Sequence, residues 1–85
     1  MRAIRLNHGV IFIDIDGVTV RVSKDGECEL SPVLFDTLEW EMSSVHPDKW
    51  EYVTDGEIRS LDGGVYERAR ALADETLALL DRKEN

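Results

Sequence analysis

Between Val10 and Ser23 the chain offers two β-branched runs, Val10–Ile15 and Val18–Ser23, separated by Asp16-Gly17. That dipeptide is the preferred pair for a two-residue type I′ turn, whose twist matches that of the strands it joins. Once the turn is placed the register follows: Ile15 faces Val18, Ile13 faces Val20 and Ile11 faces Val22, which makes one face uniformly aliphatic. Asp14 beside Thr19 and Phe12 beside Arg21 then fall on the other face, the alternation of a sheet with one wet side. Lys24-Asp25-Gly26 suits a three-residue hairpin with Gly26 in the left-handed conformation, setting Val22 against Cys28, Val20 against Leu30 and Arg21 against Glu29. In the other direction, a His8-Gly9 turn places Leu6 beside Ile11 and Ile4 beside Ile13. The N-terminal third therefore predicts an antiparallel meander with every large aliphatic side chain but Val10 on one face.

Two helices are expected to cover that face. Ser31-Pro32 has the form of a helix start, serine as cap and proline at the first helical position, and Leu34, Phe35, Leu38, Met42 and Val45 recur at helical spacing. His46-Pro47 ends that helix. Trp50–Val53 and Glu57–Leu61 flank Thr54-Asp55-Gly56 and read as a minor hairpin, after which Asp62-Gly63-Gly64 breaks the chain. From Val65 to Arg82 a longer helix is expected, with Val65, Ala69, Leu72, Ala73, Thr76, Leu79 and Leu80 on one face and Arg70/Asp74 as an exposed i,i+4 pair. The predicted fold is α+β, one domain over residues 1–85: a four-stranded antiparallel β-meander, two helices packed on one face, and a minor hairpin between the helices. A chain of 85 residues is too short for two cores.

Composition narrows the chemistry. Cys28 is the single cysteine and His8 and His46 lie far apart, so neither a disulfide nor a structural zinc site is expected, and no metal or cofactor. No apolar run is longer than that from Val10 to Ile13, far short of a membrane span or an export signal, which points to a cytoplasmic protein with no membrane partner. The net charge is −8, and residues 31–62 carry eight acidic side chains against two basic ones. Such a segment repels phosphate backbones, which argues against direct nucleic-acid binding and for a partner protein with a basic surface. A solvated, solubility-conferring surface explains the same charge.

One stretch has the form of a catalytic signature. Val10-Ile-Phe-Ile-Asp14-Ile-Asp16-Gly17-Val18 resembles the first motif of the haloacid dehalogenase-like phosphohydrolases, in which an apolar strand ends in an Asp-x-Asp-Gly loop. Glu51-Tyr-Val-Thr54-Asp-Gly56 is similar to that family's second motif. The resemblance implies a magnesium-dependent phosphohydrolase in which Asp14 is the nucleophile and Asp16 the general acid/base. The chain departs from the family after residue 62, where neither the third motif's lysine nor a second acidic pair follows, and 85 residues cannot hold a five-strand parallel core. The same letters also suit a plain hairpin, with Asp14 on the wet face and Asp16 in the turn for conformational reasons.

Elsewhere catalytic signals are thin. Cys28 alternates toward the core, where an unactivated thiol is inert, and His8 and His46 sit at a turn and a helix end. No Ser-His-Asp set can be assembled, Gly63-Gly64 lacks the context of a phosphate loop, and no catalytic residue is expected. What remains is an acidic, aromatic middle: Asp36, Glu39, Trp40, Glu41, Asp48, Trp50, Glu51, Tyr52, Asp55, Glu57 and Asp62. Trp40 lies beside the core stripe of the first helix, which favours a place at the edge of the core, and Trp50 opens a strand and suits a core edge or a partly exposed position equally. Aromatic side chains anchor interfaces, and an acidic rim steers a basic partner.

These residues suggest a non-enzymatic binding or inhibitor protein that docks on a basic, nucleic-acid-binding surface of its partner. Small acidic phage-encoded anti-defence proteins that imitate or block DNA, anti-CRISPR proteins among them, offer an analogy of size and charge. The alternatives are the phosphohydrolase and a homo-oligomeric assembly subunit, a homodimer for example, joined through the outer sheet face around Phe12 and Val10 or through an edge strand.

Overall fold

The computed structural model describes residues 1–61 and 63–83. It is α+β, with one antiparallel sheet of five strands, β1 (Arg2–Leu6), β2 (Ile11–Ile15), β3 (Val18–Val22), β4 (Cys28–Leu30) and β5 (Trp50–Tyr52), in the order β4-β3-β2-β1-β5. Three helices accompany it: α1 (Phe35–Ser43), α2 (Asp55–Arg59) and α3 (Val65–Lys83), with one 3-10 turn at Pro47–Lys49. Among the described residues no helix is long and apolar enough to cross a membrane.

Two hairpins form in the register their loops dictate. β2 and β3 pair Ile11 with Val22, Ile13 with Val20 and Ile15 with Val18. Asp16 and Gly17 both take positive φ, 50° and 84°, as a type I′ turn requires. β3 and β4 pair Val22 with Cys28, Arg21 with Glu29 and Val20 with Leu30, around a loop in which Gly26 has φ 86°.

The first hairpin departs from the His8-Gly9 turn expected of it. Gly9 N donates to Leu6 O at 2.9 Å and Leu6 N to Val10 O at 2.8 Å, so the loop holds three residues, Asn7-His8-Gly9, with Gly9 left-handed at φ 92°. That one extra residue shifts the pairing to Arg5 with Ile11, Ile4 with Phe12 and Ala3 with Ile13. Because side chains alternate, a slip of one turns a whole strand over. Ile4 and Leu6 leave the aliphatic face and join Phe12 on the face expected to be wet.

The sheet is therefore covered on both sides, and the expectation of two helices on one face does not hold. On the aliphatic face, Val65, Ala69 and Ala73 of α3 and Ile58 of α2 pack against Ile11, Ile13, Ile15, Val18, Val20 and Val22. On the other, α1 sets Phe35 and Leu38 on Ile4, with Phe12, Val33, Met42 and Trp50 around them. α1 also starts later than Ser31-Pro32 suggests. Ser31 Oγ accepts from Val33 N at 3.2 Å, closing a local turn instead of capping the helix, and Leu34 is the cap residue, 65% exposed. Val45 likewise lies outside the core.

The minor hairpin between the helices does not form, and its first segment adds a fifth strand to a sheet expected to have four. Trp50–Tyr52 instead pairs with β1, Ile4 beside Tyr52, Arg5 beside Glu51 and Leu6 beside Trp50. Thr54, expected in a turn, caps α2: its side chain accepts from Glu57 N at 3.3 Å and Ile58 N bonds Thr54 O. Ile58 is fully buried, so this short helix is fastened at one end by a cap and at the other by an anchor. α3 spans the range expected of it, and its Arg70–Asp74 pair forms at 3.5 Å. Leu79 and Leu80, placed on its core stripe by spacing, are exposed. The chain break is described at Gly63-Gly64, while Asp62 lies outside the described residues.

Candidate protein-docking surface

α1 lies across β1, β2 and β5 because Phe35, Leu38 and Met42 share one of its sides, and this fixes where its other residues point. Asp36 and Glu39 flank the buried stripe on the side of Arg2. Arg2 Nη1 donates to Glu39 Oε2 at 2.8 Å, and Nη2 donates to Asp36 Oδ1 at 2.7 Å and reaches Asp14 Oδ2 at 3.4 Å. The guanidinium also stands 4.5 Å from the centre of the Phe35 ring. The hydrogen bond to Asp36, with Glu39 and Asp14 nearby, holds the Arg2 pKa above its ordinary value against the opposing effect of partial desolvation.

Glu39 is shared. Its Oε1 accepts from the Tyr52 hydroxyl at 2.6 Å, and that bond, reinforced by desolvation and the Glu39 charge and opposed by Arg2, raises the Tyr52 pKa. Tyr52 meets Trp50 edge to face, ring centres 5.3 Å apart, and Trp50 Nε1 donates to Met42 O at 3.0 Å. Trp50 is thus a half-buried brace between β5 and the end of α1.

Trp40 stands apart from this. It points away from Phe35 and Leu38 and is 76% exposed, outside the core that its place beside the apolar stripe allows for. Asp36 precedes it by one helical turn and the exposed Glu41 follows it directly. α1 itself carries Asp36, Glu39 and Glu41 and no basic residue.

No protein-family model, curated protein or solved structure matches the chain. The site therefore stands on its own geometry.

That geometry divides the acidic, aromatic set in two. Asp36, Glu39, Trp40, Glu41, Trp50 and Tyr52 belong to the α1 side of the sheet. Glu51 and Glu57 lie on the opposite side, where Arg5 donates to both, at 2.9 and 3.0 Å. Asp55 is exposed in the first turn of α2, and Asp48 lines an open cleft of about 430 Å³ with Asn7, Lys49 and Trp50. Asp62 lies outside the described residues. Sequence reasoning passes over Arg2 and Arg5, the two cations that organise these carboxylates, because nothing in the linear order brings β1 to residues more than 30 positions away.

The carboxylates of the Asp-x-Asp-Gly stretch are also separated. Asp14 faces Arg2 on the α1 side, whereas Asp16, in the turn, is bound by Arg70 of α3 at 2.7 Å. The strands on either side run antiparallel, unlike the parallel core of the phosphohydrolases. Among the described residues no group of three His, Cys, Asp or Glu side chains is arranged to hold a metal ion. Cys28 is half-buried, with Sγ 3.6 Å from Val65 O.

Proposed function

We propose that the protein acts by docking on a basic surface of another protein through the outer side of α1, with Trp40 as the anchor and Asp36 and Glu41 as the charged rim. The observation that carries this reading is the exposure of Trp40. A tryptophan that contributes nothing to its own core is poised to bury a large apolar area against a partner, and tryptophan is enriched among residues that dominate binding energy. The charge beside it sets the sign of the partner: Glu41 is held by no ion pair among the described residues and Asp36, although it accepts from Arg2, stays exposed, so this rim attracts a surface rich in lysine or arginine and repels nucleic acid. A nucleic-acid channel of a host protein has this chemistry, and blocking one is what an anti-defence inhibitor would do.

The other two readings gain less from the geometry. A magnesium site on Asp14 and Asp16 would have to displace both Arg2 and Arg70. Self-assembly through the face around Phe12 and Val10 meets a surface already covered, since Val10 is buried and Phe12 packs under α1.

Capture of a partner from the source cells tests the proposal. Wild-type protein should retain a basic protein that is released as salt is raised, while Trp40→Ala and Glu41→Lys, both folded by circular dichroism, should lose it. Retention of the same protein by both variants at wild-type levels would remove α1 from the account.

A further inference from the structure

β5 is the last strand of the sheet, and its hydrogen bonds run to one side only. Val53 N donates to Ala3 O and Asn7 N donates to Lys49 O, so residues 49, 51 and 53 direct their backbone groups inward to β1. Alternation then directs the N–H and C=O groups of Trp50 and Tyr52 outward, away from the sheet. The side chains along this edge are accessible: Tyr52 is 60% exposed and the Glu51 side chain 62%.

A strand added here in antiparallel sense would bond with Trp50 and Tyr52 and place one residue directly across from Glu51. That position is the non-hydrogen-bonded kind, where facing side chains approach most closely, so charge counts most there. Arg5, Glu51 and the incoming residue would form one row across the sheet, alternating in sign if the newcomer is basic. The residues on either side of it would lie beside Trp50 and Tyr52, on rows begun by Leu6 and Ile4, where apolar side chains fit.

A second copy of this chain is a poor occupant. The two-fold pairing that overlaps all three residues of β5 is centred on Glu51 and sets it against its own twin. Sliding by two residues to bring in Lys49 runs into the 3-10 turn, where the backbone is no longer extended, and sliding by two the other way sets Glu51 across from Val53, which offers it no charge. No two-fold pairing along the extended stretch thus gives Glu51 a cation, whereas a foreign strand can supply one.

We infer that the outer edge of β5 accepts an extended segment of a partner protein with lysine or arginine opposite Glu51 and apolar residues on either side, a strand-addition site. The inference rests on the reading of a basic protein partner but uses a different element from α1. A cyclised β-hairpin peptide presenting Val-Lys-Val on its free edge is the probe, its preformed strand removing the ordering cost of a linear peptide. In isotope-labelled protein the amides of Trp50 and Tyr52 should shift and gain exchange protection, while that of Glu51, which faces β1, should keep its exchange rate. The corresponding Val-Glu-Val hairpin should bind about three- to tenfold more weakly, and Glu51→Lys should invert the preference. Trp40→Ala should leave the peptide response unchanged, so failure here and failure of the α1 reading are separable. Absence of any response at Trp50 and Tyr52, equal binding of the two hairpins, loss of binding in Trp40→Ala, or a dimer that occupies the edge would each overturn the inference.

Discussion

Arg2 holds three carboxylates that belong to two elements, Asp14 of β2 and Asp36 and Glu39 of α1, while its guanidinium lies against Phe35. It therefore ties α1 to the sheet by charge and by contact at once. Arg2→Met keeps most of the apolar stem and removes the charge, leaving three carboxylates to repel one another. The variant should melt at a lower temperature than wild type, and added salt should narrow the gap, as screening of an exposed cluster requires. Tyr52 gives the same network a pH dependence. Its pKa is raised from the ordinary 10.0 by the bond to Glu39, so that bond contributes fully below pH 10.0 and is lost as pH rises through the higher folded value. Above pH 10.0 the wild-type midpoint should fall more steeply than that of Tyr52→Phe; parallel profiles would show that the bond contributes nothing. Ile13 is fully buried in the aliphatic cluster and has no charge to redistribute. Ile13→Ala should destabilise by about 2–5 kcal/mol in a denaturant titration, the spread reflecting how far the surrounding side chains close on the cavity.

Each turn and cap decides the placement of the element that follows it. Gly9, at φ 92°, allows the three-residue loop that sends Ile4 and Leu6 to the α1 side. Gly9→Ala should destabilise by about 1–2 kcal/mol, because an alanine there is forced into the left-handed region. Thr54→Ala removes the cap of α2 and should lose about 1 kcal/mol, seen as a fall of roughly 4–8 °C in the melting temperature for a domain of this size. These elements also mark what is legible in the sequence. Asp16-Gly17 and Lys24-Asp25-Gly26 each specify a single loop length, so the register of β2, β3 and β4 follows from the letters. His8-Gly9 is ambiguous, since with Asn7 it also suits a three-residue loop, and the alternation in β1 takes either register once the second face is covered by α1, a segment that begins only at Phe35. Trp50–Tyr52 is too short to show a period of two. Thr54-x-x-Glu57 is a capping pattern, a signal present in the sequence that competes with the Asp55-Gly56 turn and prevails because Ile58 can then reach the core. For the site, the acidic bias of α1 can be read directly, but the outward direction of Trp40 depends on which side of the helix meets the sheet.

On the scale of the whole molecule, the net charge of −8 does not amount to one acidic face. A sheet covered on both sides distributes the middle segment to opposite surfaces, and β1 supplies a cation to each, Arg2 toward Asp36 and Glu39 and Arg5 toward Glu51 and Glu57. Carboxylates engaged in this way serve cohesion first. Glu41 differs: it is exposed beside Trp40, and no ion pair holds it among the described residues. Reversing charges one at a time therefore separates stability from docking. Glu57→Lys puts a cation against Arg5 and should lower stability by under about 1 kcal/mol, the scale of an exposed ion pair, while leaving partner capture through α1 intact. Glu41→Lys should leave the melting temperature within about 2 °C of wild type, since a surface change away from any contact shifts stability by little, yet it should abolish capture by inverting the charge at the rim of the anchor. Measured together on the two variants, melting temperature and capture should move in opposite pairs. If Glu57→Lys abolishes capture and Glu41→Lys does not, the partner approaches from the Arg5 side of the sheet, and Trp40 is an exposed tryptophan without a docking role.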